Sequence, residues 1–170
     1  MKRIGLVIKA SNPDAVILGC GIAAWVGERG GEVFCDKAFA DRIKPATPLE
    51  PDDIPGSIDT MVVLGGDGTM LYAARLIDGR KVPILGVNMG GLGFLTAITV
   101  KEVFPLLERI FGGEYEVEER MMLSVSLTRG GREISRHKVL NDAVVKGSTA
   151  RLVRMETRIN TEYVTTYRAD

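Results

Sequence analysis

Several things are scarce in these 170 residues. There are two cysteines, Cys20 and Cys35, too few for a disulfide framework and too few to build a zinc site alone. Histidine occurs once, as His137, in a basic stretch where a solvent-facing side chain is expected. No charge of one sign dominates, since 22 Lys and Arg stand against 22 Asp and Glu. A dedicated nucleic-acid or membrane-surface protein would need an excess of basic side chains, so neither partner is expected. Apolar runs are short. None reaches the ~18 residues of a membrane span, and the one behind the basic N-terminus, Ile4 to Ile8, is too brief for a secretory signal. A cytoplasmic chain with reduced thiols is the expectation. What is abundant is glycine, 20 of 170 residues, against a usual share of ~7%. Glycine in excess marks tight turns and places where backbone approaches a ligand closely.

Arg3 to Ile8 is a β-branched apolar run that reads as a buried strand. Asn12 and Pro13 open a helix with Val16, Ile17, Ile22, Ala23 and Val26 at near-helical spacing, ending at Gly30-Gly31. Glu32 to Cys35 is a second strand. Lys44 to Gly56, with four prolines and several acids, reads as an extended, exposed loop. Asp59 to Leu64 is a third strand, Met70 to Ile77 a helix, Val82 to Val87 a fourth strand and Val100 to Phe111 another helix. Such alternation marks a parallel α/β sheet. Beyond residue 116 the period becomes two. Arg120 to Arg129 and Arg132 to Leu140 flank Gly130-Gly131, and Val153 to Ile159 and Tyr163 to Tyr167 flank Asn160-Thr161, as two hairpins. The expected fold is an α/β N-terminal domain with a parallel sheet over 1–115, followed by an all-β antiparallel section over 116–170, the start of an incomplete second domain. Residues 1–115 hold 12 basic and 14 acidic groups, residues 116–170 hold 10 and 8. That shift leaves open whether the later arginines face water or an anionic ligand.

Gly65-Gly66-Asp67-Gly68-Thr69 directly follows one strand and directly precedes one helix, at the carboxyl end of a parallel strand where α/β sheets bind ligands. Glycines there let backbone N–H groups converge on an anion, helped by the helix N-terminus. Asp67 would repel phosphate, so it suits a base or orienter acting on a hydroxyl nucleophile beside the phosphates. The bland alternative is a strand–turn–helix loop capped by Asp. Gly19-Cys20-Gly21-Ile22-Ala23-Ala24 matches a dinucleotide fingerprint in letters but sits some ten residues past its strand, and no G-x-x-x-x-G-K-[ST] loop occurs. Asn141-Asp142 pairs an amide, able to read an adenine edge, with a carboxylate, able to accept from a ribose hydroxyl.

Taken together, GGDGT, then NMGGLGFL some twenty residues later, then LNDAVV in a β-rich section resemble the NAD kinase family. The family's pattern continues beyond the Asp170 position with a Thr- and Ser-rich, TPTGSTAY-like segment. GGDGT alone is shared with diacylglycerol and sphingosine kinases, so a lipid or sphingoid kinase is the nearest alternative, and a non-catalytic nucleotide-binding module is another. The resemblance implies phosphorylation of the adenosine 2′-hydroxyl of NAD to NADP with ATP or polyphosphate as donor, Mg²⁺ held mainly by phosphates and water, and a homo-oligomer. It implies that Asp67 is the general base and that Gly66 and Gly68 form the turn near the phosphates. By the same resemblance Phe94 lies near the adenine and Asn141 and Asp142 hold the adenosine. Arg151, Arg168 and Asp170 would contact the rest of the dinucleotide. The family commonly has a basic residue five positions after the catalytic Asp; here that place is Tyr72, with Arg75 one turn on as a substitute.

Overall fold

The computed structural model describes residues 2–9, 11–91, 93–146 and 152–169. Strand β1 (Arg3–Ile8) leads into helix α1 (Pro13–Glu28), which Asn12 caps by accepting the Asp14 N–H at 3.0 Å. Pro13 sits in the first turn, where its missing N–H costs nothing. Then follow β2 (Glu32–Asp36), β3 (Thr47–Leu49), the single-turn helix α2 (Ile54–Ser57), β4 (Thr60–Gly65), α3 (Asp67–Ile77), β5 (Ile84–Asn88), β6 (Ile98–Thr99) and α4 (Val103–Gly112). All six strands lie parallel in one sheet of order β3-β2-β1-β4-β5-β6. The chain order reverses between β1 and β4, which opens a crevice at their carboxyl ends.

Side chains alternate across the two central strands, as pleating requires. Ile4, Leu6, Ile8, Val62 and Leu64 pack beneath α1 and α4, while Val7, Met61 and Val63 pack beneath α2 and α3. With both faces covered, β4 is buried along its whole length, the expected condition of a central parallel strand.

The segment 44–56 is largely exposed, as its prolines suggest, but it is not a plain loop. β3 adds to the sheet edge, with Pro48 beside Cys35, a place where a missing donor is tolerated. Pro51 opens a short 3₁₀ turn, and Ile54 and Pro55 are buried. Ile54 and Ile58 lie over Gly5, where a β-carbon would approach Ile58 Cδ1 to 2.7 Å.

Two antiparallel hairpins follow: β7 (Leu123–Arg129) with β8 (Arg132–Val139), and β9 (Val153–Ile159) with β10 (Glu162–Ala169). Leu123, Val125 and Leu127 share one face of the first hairpin with Val139, while Ser124, Ser126, Arg136 and Lys138 share the other. From that polar face Lys138 Nζ reaches Asp78 at 3.0 Å, just past the C-terminus of α3, where a cation also complements the helix dipole. His137 is exposed, as expected.

Among the described residues, none beyond Ile110 is buried. Residues 114–122 have no regular structure, and all but Leu123's neighbour Met122 are exposed. Accessible irregular backbone is where proteases cut first. Limited trypsin digestion should therefore cleave first at Arg120 or in the hairpins after it, leaving a resistant piece that spans β1 to α4. Mass spectrometry of the early fragments reads this directly, and a first cut between β1 and α4 would contradict it.

Candidate active site

β4 and β5 are paired neighbours, with Gly65 beside Asn88, so both glycine-rich loops emerge side by side at the carboxyl edge of the sheet. The first turns at once into α3. A β-carbon on Gly65 would meet Thr69 Cβ at 2.7 Å, so only glycine lets strand and helix join this tightly. Gly66 is the N-cap, in an extended conformation, and its carbonyl accepts the Thr69 and Met70 N–H groups at 3.0 and 3.1 Å. The Asp67 and Gly68 amides that precede them have no intrahelical acceptor, as at any helix start. Around Gly66 and Gly68 a β-carbon would meet nothing within 4 Å, so open space adjoins the loop.

The second loop is folded by Asn88. Its Nδ2 donates to Gly91 O at 2.8 Å, and its Oδ1 accepts from Gly90 N at 2.9 Å. Met89 N donates to Gly65 O at 3.2 Å, tying the two loops by backbone.

Asp67 completes the joint. Its Oδ2 accepts the Phe94 N–H at 3.0 Å and its Oδ1 accepts the Leu95 N–H at 3.0 Å. Hydrogen bonds to an ionised acceptor contribute about 1.5–3 kcal/mol each, so one side chain holds the turn of the second loop against the first. Gly93 makes this contact possible, since a β-carbon there would lie 2.6 Å from Asp67 Oδ1 and 2.7 Å from Thr96 Oγ1. Asp67 does not cap its own helix, so the bland N-cap reading fails. Each oxygen keeps a second lone pair for another donor.

The phenyl ring of Phe94 is 95% exposed. An aromatic ring left in water beside a carboxylate offers a stacking platform for a planar base. Asp67, Gly66, Gly68 and Phe94 are thus brought together by adjacent strands. Asn141 and Asp142 are exposed in the bend just after β8, and among the described residues no hydrogen bond or ion pair links either to Asp67. Arg168 is exposed on β10, directly opposite Arg154 on β9. Arg151 and Asp170 lie outside the described residues. Tyr72, in the place of the family's basic residue, has its phenol pushed up by burial and by the carboxylates of Asp36 and Asp52, with Arg75 opposing them. Asn88, Gly93, Leu95 and Thr96 also shape the site. Asn88, Gly93 and Leu95 fall within the NMGGLGFL stretch, whereas Thr96 carried no readable signal.

Among the described residues, no group of three or more His, Cys, Asp or Glu side chains is placed to hold a metal ion. Among the described residues Asp67 is the one carboxylate bonded across the two loops, a donor set that fits a metal arriving on a ligand's phosphates better than a protein-built cage. Nor, among the described residues, is any helix long and apolar enough to cross a membrane.

The model of the ATP-NAD kinase N-terminal domain matches residues 4–115. The chain is 47% identical over 171 aligned residues to an NAD kinase of Geotalea daltonii and 46% identical to an NAD kinase of Geobacter sulfurreducens. Each comparison covers 100% of this chain but 60% of the relative's length. Its backbone is similar to the crystal structure of yeast NADH kinase complexed with NADH, with TM-score 0.83 at 20% identity, over 100% of this chain and 56% of the other.

The Asp67 joint predicts a local effect. Asp67→Ala should speed hydrogen exchange at the Phe94 and Leu95 amides by on the order of 10-fold or more, the equivalent of one lost charge-assisted bond. Amides of β4 should stay protected. Unchanged exchange at 94 and 95 would show that the loop holds its shape without the carboxylate.

Proposed function

Because this chain belongs to the NAD kinase family, we propose that it carries the GGDGT half of an active site that phosphorylates the adenosine 2′-hydroxyl of NAD. The observation that supports this reading best is the Asp67 carboxylate, presented between the start of α3 and the exposed ring of Phe94. Asp67 takes the proton of the 2′-hydroxyl as that oxygen bonds to the γ-phosphorus of ATP, and ADP leaves with the bridging oxygen. Its two hydrogen bonds to backbone fix the carboxylate's orientation, which matters because the catalytic share of such a protein is placement and charge stabilisation. The amides around Gly66 and Gly68 face the phosphates. Phe94 stacks on the adenine, Asn141 and Asp142 hold the adenosine, and Arg151, Arg168 and Asp170 meet the rest of the dinucleotide. Polyphosphate is an alternative donor of the same chemistry. Mg²⁺ would be held mainly by donor phosphate oxygens and water, and would supply neutralisation of the donor's charge. We place the protein in the cytoplasm as a homo-oligomer with residues 1–115 as its nucleotide-binding domain and 116–170 as the beginning of its β-rich NAD-binding domain. No observation favours a lipid or sphingoid kinase.

Tests belong in a chain extended to the full length of its relatives. Asp67→Asn should lower kcat by roughly 10²–10⁴-fold while NAD binds within a few-fold. An amide has one acceptor where the carboxylate has two, so this variant also leaves one of the Phe94 and Leu95 N–H groups facing a donor; amide exchange at 94 and 95 reports that side effect separately. Near-normal turnover would remove Asp67 from the chemistry.

Asp142→Ala should weaken NAD binding by roughly 1–3 kcal/mol through lost charge-assisted bonds, with donor binding little changed. Calorimetric titration with each ligand distinguishes the outcomes. Equal losses for both would assign Asp142 to folding rather than to the adenosine.

A further inference from the structure

Thr96 carries an oxygen that no contact so far employs. Its Oγ1 is buried and among the described residues has no hydrogen-bond partner, a rare condition for a buried hydroxyl. The backbone of the residue is held against β5. A β-carbon at Gly86 would meet Thr96 Cα at 3.2 Å, and the next amide, Ala97 N–H, donates to Gly86 O at 3.0 Å. Thr96 Oγ1 and Asp67 Oδ1 look into the same methyl-sized space, the one Gly93 leaves empty, at 2.7 and 2.6 Å from the point a β-carbon would occupy. Oδ1 has spent one lone pair on the Leu95 N–H and keeps the other. An unspent donor and an unspent acceptor thus share one gap.

We propose that Thr96 is a positioning residue for Asp67, its hydroxyl donating to Oδ1 during turnover and fixing the carboxylate while Oδ2 receives the substrate proton. The inference rests on the reading of Asp67 as the base. It assigns Gly93 a matching role, because any side chain there would fill the space between the two oxygens.

Thr96→Val keeps the β-branch and the volume but removes the hydroxyl, whereas Thr96→Ser keeps the hydroxyl and removes the methyl. In the full-length protein Thr96→Val should lower kcat on the order of 10-fold, the worth of one hydrogen bond, with KM for NAD within twofold. Thr96→Ser should restore kcat to within about twofold of the parent, on the same reasoning about which atom forms the bond. In an Asp67→Asn background Thr96→Val should cost nothing further, since a residue that acts through Asp67 has nothing left to position. Three results would overturn the proposal: parental kcat in Thr96→Val, a serine variant as slow as the valine one, or a full additional loss on top of Asp67→Asn. The two readings fail separately. A slow Asp67→Asn with a normal Thr96→Val sinks only the role of Thr96, whereas a fast Asp67→Asn removes the base and the positioning residue together.

Discussion

Two hydrogen bonds from backbone to one carboxylate organise this molecule's working edge. Asp67 binds the Phe94 and Leu95 amides, and almost every other feature of the edge either permits that contact or profits from it. Gly65 lets β4 turn into α3 without a gap, which brings Asp67 to the rim. Gly93 clears the space for the carboxylate. Asn88 folds the intervening turn so that the 94–95 amides arrive in register. Phe94, held by its backbone, is free to leave its ring in water. A phenyl ring in that position forgoes hydrophobic free energy that a packed ring would gain, which the proposed contact with the adenine would recover.

The sheet beneath supplies the rigidity that this contact needs. β4 and β1 are buried on both faces, by α1 and α4 on one side and α2 and α3 on the other. Loops held at the carboxyl ends of such strands inherit strand positions and need little ordering of their own. The hairpins after residue 122 stand in contrast. They satisfy their own backbone ladders but bury no side chain among the described residues. An isolated two-stranded hairpin is marginal in water, and Lys138–Asp78, an exposed ion pair, adds no more than about 1 kcal/mol.

The strand–GGDGT–helix junction was legible in the sequence because it depends on local chemistry: an apolar run, glycines, then helical spacing. The hairpin turns at Gly130-Gly131 and Asn160-Thr161 were legible for the same reason, and Gly130, Gly131 and Asn160 all take positive φ. In segment 44–56 the exposure was legible but the short elements were not, because proline signals a break only inside a ladder. Here Pro48 sits on the edge strand and Pro51 at a helix start, while Ile54 and Pro55 are the residues that the segment buries. The partners of Asp67 were out of reach altogether. They lie 27 and 28 residues away and offer only backbone N–H groups, which have no letter in the sequence. Thr96 was hidden similarly, since an unpaired hydroxyl shows itself only once its surroundings are known.

Tying the catalytic candidate to its neighbour loop has a consequence for how such a site can work. Asp67 cannot be both a free base and a fixed staple unless its bonding capacity exceeds what the staple consumes. Two oxygens with two lone pairs each leave two positions after the amides are satisfied. One would go to the substrate hydroxyl and one to a donor that holds the carboxylate still. A carboxamide at 67 cannot meet that demand, nor can a longer acid without displacing the loop. On the proposed reading the carboxylate is required twice, for its charge in the chemistry and for its acceptor count in the architecture. On that reading loop geometry and base placement are set together, and preorganisation of this kind lowers a barrier without any further contact to the reacting atoms.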